Sequence, residues 1–365
     1  MVKDVEVIIS HRANLTTRYG VEGCEQIAKA VVRLKESMTS AGIESHIRWL
    51  ESPLPQQVRE SIGRLEREFG SQEISLLIIG GDEIVPFFRL RNEVEDGDAD
   101  IPSDGPYASQ RDDWIVPDRA VGRIPGTEAP AFLLGVLDNA ARRHSESART
   151  LSHSRRRPHG FGYSTSKWKA ASKAVYRAVF PKGRLRLSPP VTEKEFRSDW
   201  LREKAVCYFN LHGLKEKSGW YGERAPTDPT DYPDFPVALL PDLIPEVSGA
   251  AVFSEACYGG YVLHKTVDTS VALKFLDQNA DCFVGSSAIA YGPYKPPSTE
   301  ADLLCKYFFQ YVSKGVRYGN AFANAKRDFV RKMLRTQGYL DEDDRKPLAE
   351  FNLFGDPGLR WRTAS

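Results

Sequence analysis

Val206-Cys207-Tyr208-Phe209-Asn210-Leu211-His212-Gly213 is a largely apolar run that ends by presenting a histidine and a glycine. A second run of the same design, Ala251-Val252-Phe253-Ser254-Glu255-Ala256-Cys257-Tyr258-Gly259-Gly260, ends on a cysteine and two glycines. Short runs rich in Val, Phe and Tyr and closed by Gly predict buried strands. Strands apolar on both faces belong to a parallel sheet covered by helices, and in such sheets ligands bind outside the carboxyl ends of the strands. If the two runs are neighbours, His212 and Cys257 meet at one edge, and nucleophilic thiol chemistry needs that pair. Gly213 would let the backbone turn so that its N–H faces the site. With the Cys257 N–H it would form an oxyanion hole, worth about 3–4 kcal/mol per donor. Gly259 and Gly260 would leave room for a substrate backbone beside the thiol.

The same residues have a structural reading. A lone cysteine is more often a small buried apolar residue than a nucleophile, and a histidine at a strand end is usually hydrogen-bonded in place. Spacing leaves both readings open. The other cysteines read more simply: Cys207 inside a strand, Cys282 at the start of one and Cys305 on an apolar helix face are packing residues. Cys24 lies near a helix start with no histidine nearby in sequence, and His264, in the loop after Cys257, is a minor rival as base. No HExxH and no clustered His/Cys ligands occur, so no metal is expected, and Gly80-Gly81-Asp82 lacks the pattern of a nucleotide loop, so no cofactor is expected. The acidic residues Glu93, Glu95, Asp96, Asp98, Asp100 and Asp104 lack EF-hand spacing and read as a solvated loop rather than a Ca²⁺ site.

Outward from the two runs the chain alternates strand and helix signals, so the fold class is α/β. Val5–Ile9 and Ser75–Ile79 predict strands; Ile27, Val31, Leu34 and Met38, then Val58, Ile62 and Leu65, predict helices. Residues 91–119 read as a loop leading to a short strand at Ala120-Val121. Helical signals return at Phe132–Leu137, Trp168–Phe180, 268–279, 299–312 and 317–335, and Cys282–Val284 predicts a further strand. The stretch 142–159, with Arg142, Arg143, Arg149, Arg155, Arg156 and Arg157 against Glu146 alone, reads as an exposed basic linker. The expected organisation is an N-terminal α/β subdomain over 1–145, a linker over 146–160 and a C-terminal subdomain over 161–365.

Composition excludes several classes. The chain has 365 residues, with 50 Lys plus Arg against 49 Asp plus Glu. That balance argues against a general nucleic-acid or anionic-membrane binder, and no apolar run reaches the roughly 18 residues of a membrane span. Five cysteines without a CxxC pair point to a reducing compartment. The opening residues enter a strand without a signal-peptide pattern, so the expected location is cytoplasmic.

The strand–His–Gly and strand–Ala–Cys pattern resembles the caspase, gingipain, legumain and separase clan of cysteine peptidases, and within it the gingipain-type family. Four further segments, in the family's order, carry the resemblance: Leu77-Ile78-Ile79-Gly80-Gly81-Asp82 with Pro86 after it, Pro102-Ser103-Asp104-Gly105-Pro106-Tyr107, Pro117 to Pro125 around Gly122-Arg123, and Phe354-Gly355-Asp356-Pro357-Gly358-Leu359. The resemblance spans nearly the whole chain and implies a caspase/gingipain-like fold of two side-by-side α/β subdomains with mostly parallel sheets. It implies that Cys257 attacks the scissile carbonyl, that His212 protonates the leaving amine, and that the Gly213 and Cys257 amides hold the oxyanion. It also implies that Gly285-Ser286-Ser287-Ala288 forms one wall of the primary specificity pocket, with Ser286 and Ser287 as substrate contacts and Tyr291 adding an aromatic surface; Asn210, just before the histidine, is a further expected substrate contact.

This sequence departs from the family in the 160–175 region. There gingipains carry an acid that reads a basic P1 side chain, with a carboxylate nearby that orients the histidine. Gly162 to Ala170 holds no acid, so Arg/Lys specificity is not read, and either Asn210 or a backbone carbonyl orients His212 or the histidine needs no partner. The expectation is a cysteine endopeptidase acting on protein or peptide substrates through a thioester, in a bacterial defence or signalling setting by analogy. No nucleic acid or membrane is expected as partner. A protease of this kind needs restraint by an activating or inhibiting protein partner or by cleavage. The candidate cleavage segments are the Arg155-Arg156-Arg157 linker and the Pro- and Gly-bearing stretch Lys215 to Pro236, read as exposed and mobile. An inactive peptidase-fold scaffold and a transpeptidase using the same thioester are the alternatives.

Overall fold

The computed structural model describes residues 4–70, 72–149 and 159–361. The N-terminal half forms β1 (Asp4–Ser10), α1 (Arg12–Ser40), β2 (Glu44–Trp49), α2 (Pro55–Phe69) and β3 (Glu73–Ile79). It continues with the hairpin strands β4 (Phe88–Arg91) and β5 (Asp100–Ser103), then α3 (Gly105–Ala108), β6 (Ala120–Ile124) and α4 (Pro130–Arg149). The C-terminal half forms β7 (Gly160–Thr165), α5 (Lys169–Val179), β8 (Leu185–Ser188), β9 (Val206–Asn210), β10 (Trp220–Tyr221) and β11 (Val237–Leu239). It ends with β12 (Ala251–Ser254), α6 (Val271–Asp277), β13 (Cys282–Ser286), α7 (Glu300–Val312), α8 (Tyr318–Thr336), α9 (Glu342–Glu350) and β14 (Phe351–Gly355).

The two halves share one sheet, in the order β2-β1-β3-β6-β14-β13-β12-β9-β7-β8. Its apolar strands, β1, β3, β9, β12 and β13, are buried along most of their length and flanked by helices, as expected for parallel strands covered on both faces. The last strand, β14, joins the halves: it runs parallel to β6 and antiparallel to β13. The strands of the two halves therefore run in opposite directions, and their carboxyl ends lie on opposite edges of the sheet. Close approach sets the seam, because a Cβ on Gly122 of β6 would collide with the backbone oxygen of Gly355.

Buried polar pairs reinforce this seam. Arg123 of β6 is fully buried and grips Asp104 through two hydrogen bonds of 2.8 and 2.6 Å, while its third nitrogen donates to the carbonyls of Gly80 and Val85. His144 on α4 meets Asp356 at 2.9 Å, and Arg143 reaches Asp281 at 2.9 Å across the halves. The Ser-Asp, Gly-Arg and Gly-Asp-Pro segments that carry the family resemblance are thus structural fastenings.

Two sequence expectations change. The basic stretch does not begin as an exposed linker. α4 runs on to Arg149, and Arg143 is anchored by a buried carboxylate, a tertiary partner that composition does not reveal. Residues 150–158, with Arg155 to Arg157, lie outside the described residues. Residues 91–119 are not all loop either. They contain β5 and α3, and Asp104 and Arg119 are buried. Among the described residues no helix is long and apolar enough to cross a membrane.

Candidate active site

β9 and β12 are adjacent and parallel, in the register Ala251↔Val206 to Ser254↔Phe209. The Glu255 amide extends the ladder to the Phe209 carbonyl. His212 and Cys257 therefore leave the same edge from neighbouring strands. Contact between their loops is so close that a Cβ on Gly213 would overlap the carbonyl oxygen of Cys257. That approach, more than a positive φ, is what demands glycine after the histidine. The next residue, Tyr258, holds a left-handed backbone (φ 54°) that costs strain in a non-glycine residue. Its N–H is fixed on the Ala288 carbonyl, and the Gly260 N–H on the Ser286 carbonyl. Among the described residues no backbone acceptor occupies the N–H of Gly213 or of Cys257.

A short bridge between His212 and Tyr221 brings Glu223 beneath the imidazole. The Glu223 carboxylate meets His212 Nε2 at 3.0 Å and also pairs with Lys167. Nε2 is then the bonded nitrogen, and Nδ1 is the one left to exchange a proton. The imidazole sits between Trp168, with ring centres 4.4 Å apart, and the edge of Phe235 at 5.4 Å. Tyr294, largely exposed, continues this aromatic surface. The Cys257 thiol donates to the Ala290 carbonyl at 3.4 Å. Burial pushes its pKa up to about 11, the Ala290 hydrogen bond opposing only in part, so the resting group is a neutral thiol.

The loop between β4 and β5 reaches this edge from the N-terminal half. Asp98 accepts from the Tyr258 hydroxyl and the Ile289 N–H, both at 2.8 Å, and Asp96 accepts from the Tyr291 hydroxyl and from Lys346. These acids were expected to be solvated; two of them are fastened to residues flanking Cys257 and Ala290, and Asp104 is buried against Arg123.

The expected substrate contacts are placed unevenly. Tyr291 is exposed and borders the site. Ser286 and Ser287 are buried: the first exchanges hydrogen bonds with Ala288, and the second donates to the Pro102 and Glu350 carbonyls. The Asn210 amide donates to Ser172 Oγ at 3.0 Å and not to His212, so the carboxylate takes the orienting position that Asn210 was offered for. His264 lines a separate cleft among lysines. The Lys215–Pro236 stretch is not exposed throughout, because Trp220, Gly222 and Glu223 are buried beneath the histidine.

Sequence reading missed Glu223, Trp168, Phe235 and Asp98. The only signal for Glu223 was an acid following a Trp-Tyr pair able to bridge back to the strand end, and nothing local marks that bridge.

No protein-family model matches the chain, and no curated protein sequence matches it. Solved structures do. The Arg-specific cysteine proteinase gingipain R (RgpB) matches with a TM-score of 0.65 at 13% identity, over 99% of this chain and 78% of that one. The complex of the RgpB pro- and mature domains from Porphyromonas gingivalis gives 0.65 at 13% identity, over 98% and 80%. A structure described only as a protease gives 0.61 at 11% identity, over 98% and 78%. The chain has a cysteine-peptidase fold. Within that class its fold is the gingipain-type, caspase-like one.

Proposed function

We propose that this chain is a cysteine endopeptidase using Cys257 and His212, with Glu223 orienting the histidine. The supporting observation is that adjacent parallel strands deliver the thiol and a carboxylate-bound imidazole to one edge, beside two backbone N–H groups that no backbone acceptor occupies among the described residues. In this reading His212 Nδ1 takes the proton from Cys257 as the sulfur attacks the scissile carbonyl carbon. The Gly213 and Cys257 amides then donate to the oxyanion. The imidazolium returns that proton to the leaving nitrogen, the C–N bond breaks, and a thioester remains with the amine product released. Water, deprotonated by the same imidazole, cleaves the thioester and restores the thiol.

The resting geometry also favours latency. The thiol is neutral, donates to Ala290, and sits between segments fastened by Asp98. An activating partner or a cut in a connecting segment would have to free it. Cleavage-site profiling of a proteome-derived peptide library, wild type beside Cys257→Ala, tests the reading. Cuts that vanish in the variant support it, and unchanged cuts overturn it. Products carrying an added amine in place of water would identify a transpeptidase. Intact mass measured as activity appears tests self-cleavage, and a fully active uncut chain removes that route.

A further inference from the structure

Beside the dyad lies a cleft of about 430 Å³ that the mechanism does not use. Lys215, Glu216, Lys217 and Ser218 form one wall, one residue beyond His212 and Gly213; Tyr261, Leu263, His264, Lys265 and Thr269 form the other, in the loop after Cys257. The cleft is therefore built from the two loops that carry the dyad. Its charge is one-sided, with three lysines against Glu216. Among the described residues no carboxylate lies within ion-pair distance of Lys215, Lys217 or Lys265, although the chain as a whole carries a net charge of only +1.

Lys215 is also held in place. Its ammonium lies 5.0 Å from the Tyr261 ring centre and 5.9 Å from that of Tyr258, the residue after the thiol. Aromatic faces attract a cation without neutralising it, so the charge stays available to an anion. Three uncompensated ammonium groups around one concavity are complementary to a single acidic side chain. A long polyanion would need a basic surface that the rest of this neutral chain lacks.

We propose that this cleft is a subsite for an acidic side chain of the polypeptide substrate, a carboxylate or a phosphorylated residue, held at a fixed distance from the scissile bond. The proposal rests on the peptidase reading for its function but not for its binding chemistry. Peptide-library profiling should show Asp, Glu or phosphoserine enriched at one position, by about tenfold over Lys, the combined effect of a few exposed ion pairs. The preference should shrink as salt rises from about 0.05 to 0.5 M, where screening is short-ranged. Separate Asp/Glu and phosphoserine sublibraries distinguish the two sources of charge. The charge-reversed variant Lys217→Glu/Lys265→Glu should invert the preference toward Lys and Arg, which a merely misfolded protein would not do.

A binding arm keeps this test separate from the peptidase reading. Fluorescein-labelled acidic peptides and their lysine counterparts are titrated against Cys257→Ala protein by anisotropy. Tighter binding of the acidic peptide, lost on charge reversal, upholds the subsite even if wild type cuts nothing. Equal binding of the two peptides, or a cleavage preference that the reversal leaves unchanged, overturns it.

Discussion

The two halves of the sheet use their strand ends in contrasting ways. In the N-terminal half, the turn after β3 is closed by the protein itself: Arg123 fills it, donating to Gly80 and Val85 while gripping Asp104. In the C-terminal half, the ends of β9 and β12 carry His212 and Cys257, and backbone N–H groups there are left without internal acceptors among the described residues. The architecture is shared, and both positions are ones where α/β sheets place ligands. The difference teaches that the fold offers two candidate edges and that side chains decide which is plugged and which is open. Gingipain-like sequence motifs occur at both, so motif content alone does not tell a fastening from a reactive group.

The strongest break in this contrast comes from deleting one group on each edge. Cys257→Ala should abolish labelling by a thiol-reactive, substrate-like probe and remove all cleavage, while the unfolding midpoint moves little, because only a sulfur is lost. Arg123→Met should do the reverse. It strands Asp104 in the interior and leaves two carbonyls unmet, at a cost of about 3–5 kcal/mol read from denaturant unfolding. A Cys257 variant that unfolds, or an Arg123 variant of full stability, would collapse the distinction.

A smaller effect sharpens the picture of the open edge. Glu223→Gln keeps the shape beside His212 but removes the charge that fixes Nε2 as the bonded nitrogen. Cleavage should fall in kcat, on the order of 100-fold, with KM little changed. Asn210→Ala should leave the pH profile as it is, since that amide serves Ser172. If the two variants exchange behaviour, the histidine is oriented as the sequence first suggested.

The outcome shows which forces are local enough to read. β9, β12 and β13 were legible because a short, continuous apolar run is hard to place anywhere but in a buried strand, and α1, α2, α7 and α8 because their buried residues recur at helical spacing. β2 and β8 were not, because they lie at the sheet's two ends, are only partly buried and carry mixed residues such as Glu44, Arg48 and Arg186. β14 was read as a motif and not as the strand that joins the halves, since its place depends on a pairing formed at long range. Cys257 and His212 stood out because each ends a strand. Glu223 depended on a two-residue bridge, and Asp98 on a loop from the opposite half, neither of which leaves a periodic trace.

The mildest test concerns the acids behind each edge. Asp104 is paired with Arg123, whereas Asp302, buried on the β9–β12 side, meets another carboxyl, that of Glu255, and among the described residues no cation pairs with it. Burial pushes the Asp302 pKa from 3.8 up to about 7, and Glu255 is raised as well, also chiefly by burial. The folded chain therefore keeps a proton that the unfolded chain releases between about pH 4 and 7. Stability from this group is present below the unfolded value and is lost as pH rises through that window. Asp302→Asn cannot release a proton, so its stability relative to wild type should rise across the same window, by on the order of 3 kcal/mol. Denaturant unfolding of both proteins at pH 4.5 and 7.5 measures it. A difference that stays flat with pH would mean that the pair is already neutralised by a partner, and that the interior behind the open edge is closed as tightly as the one Arg123 seals.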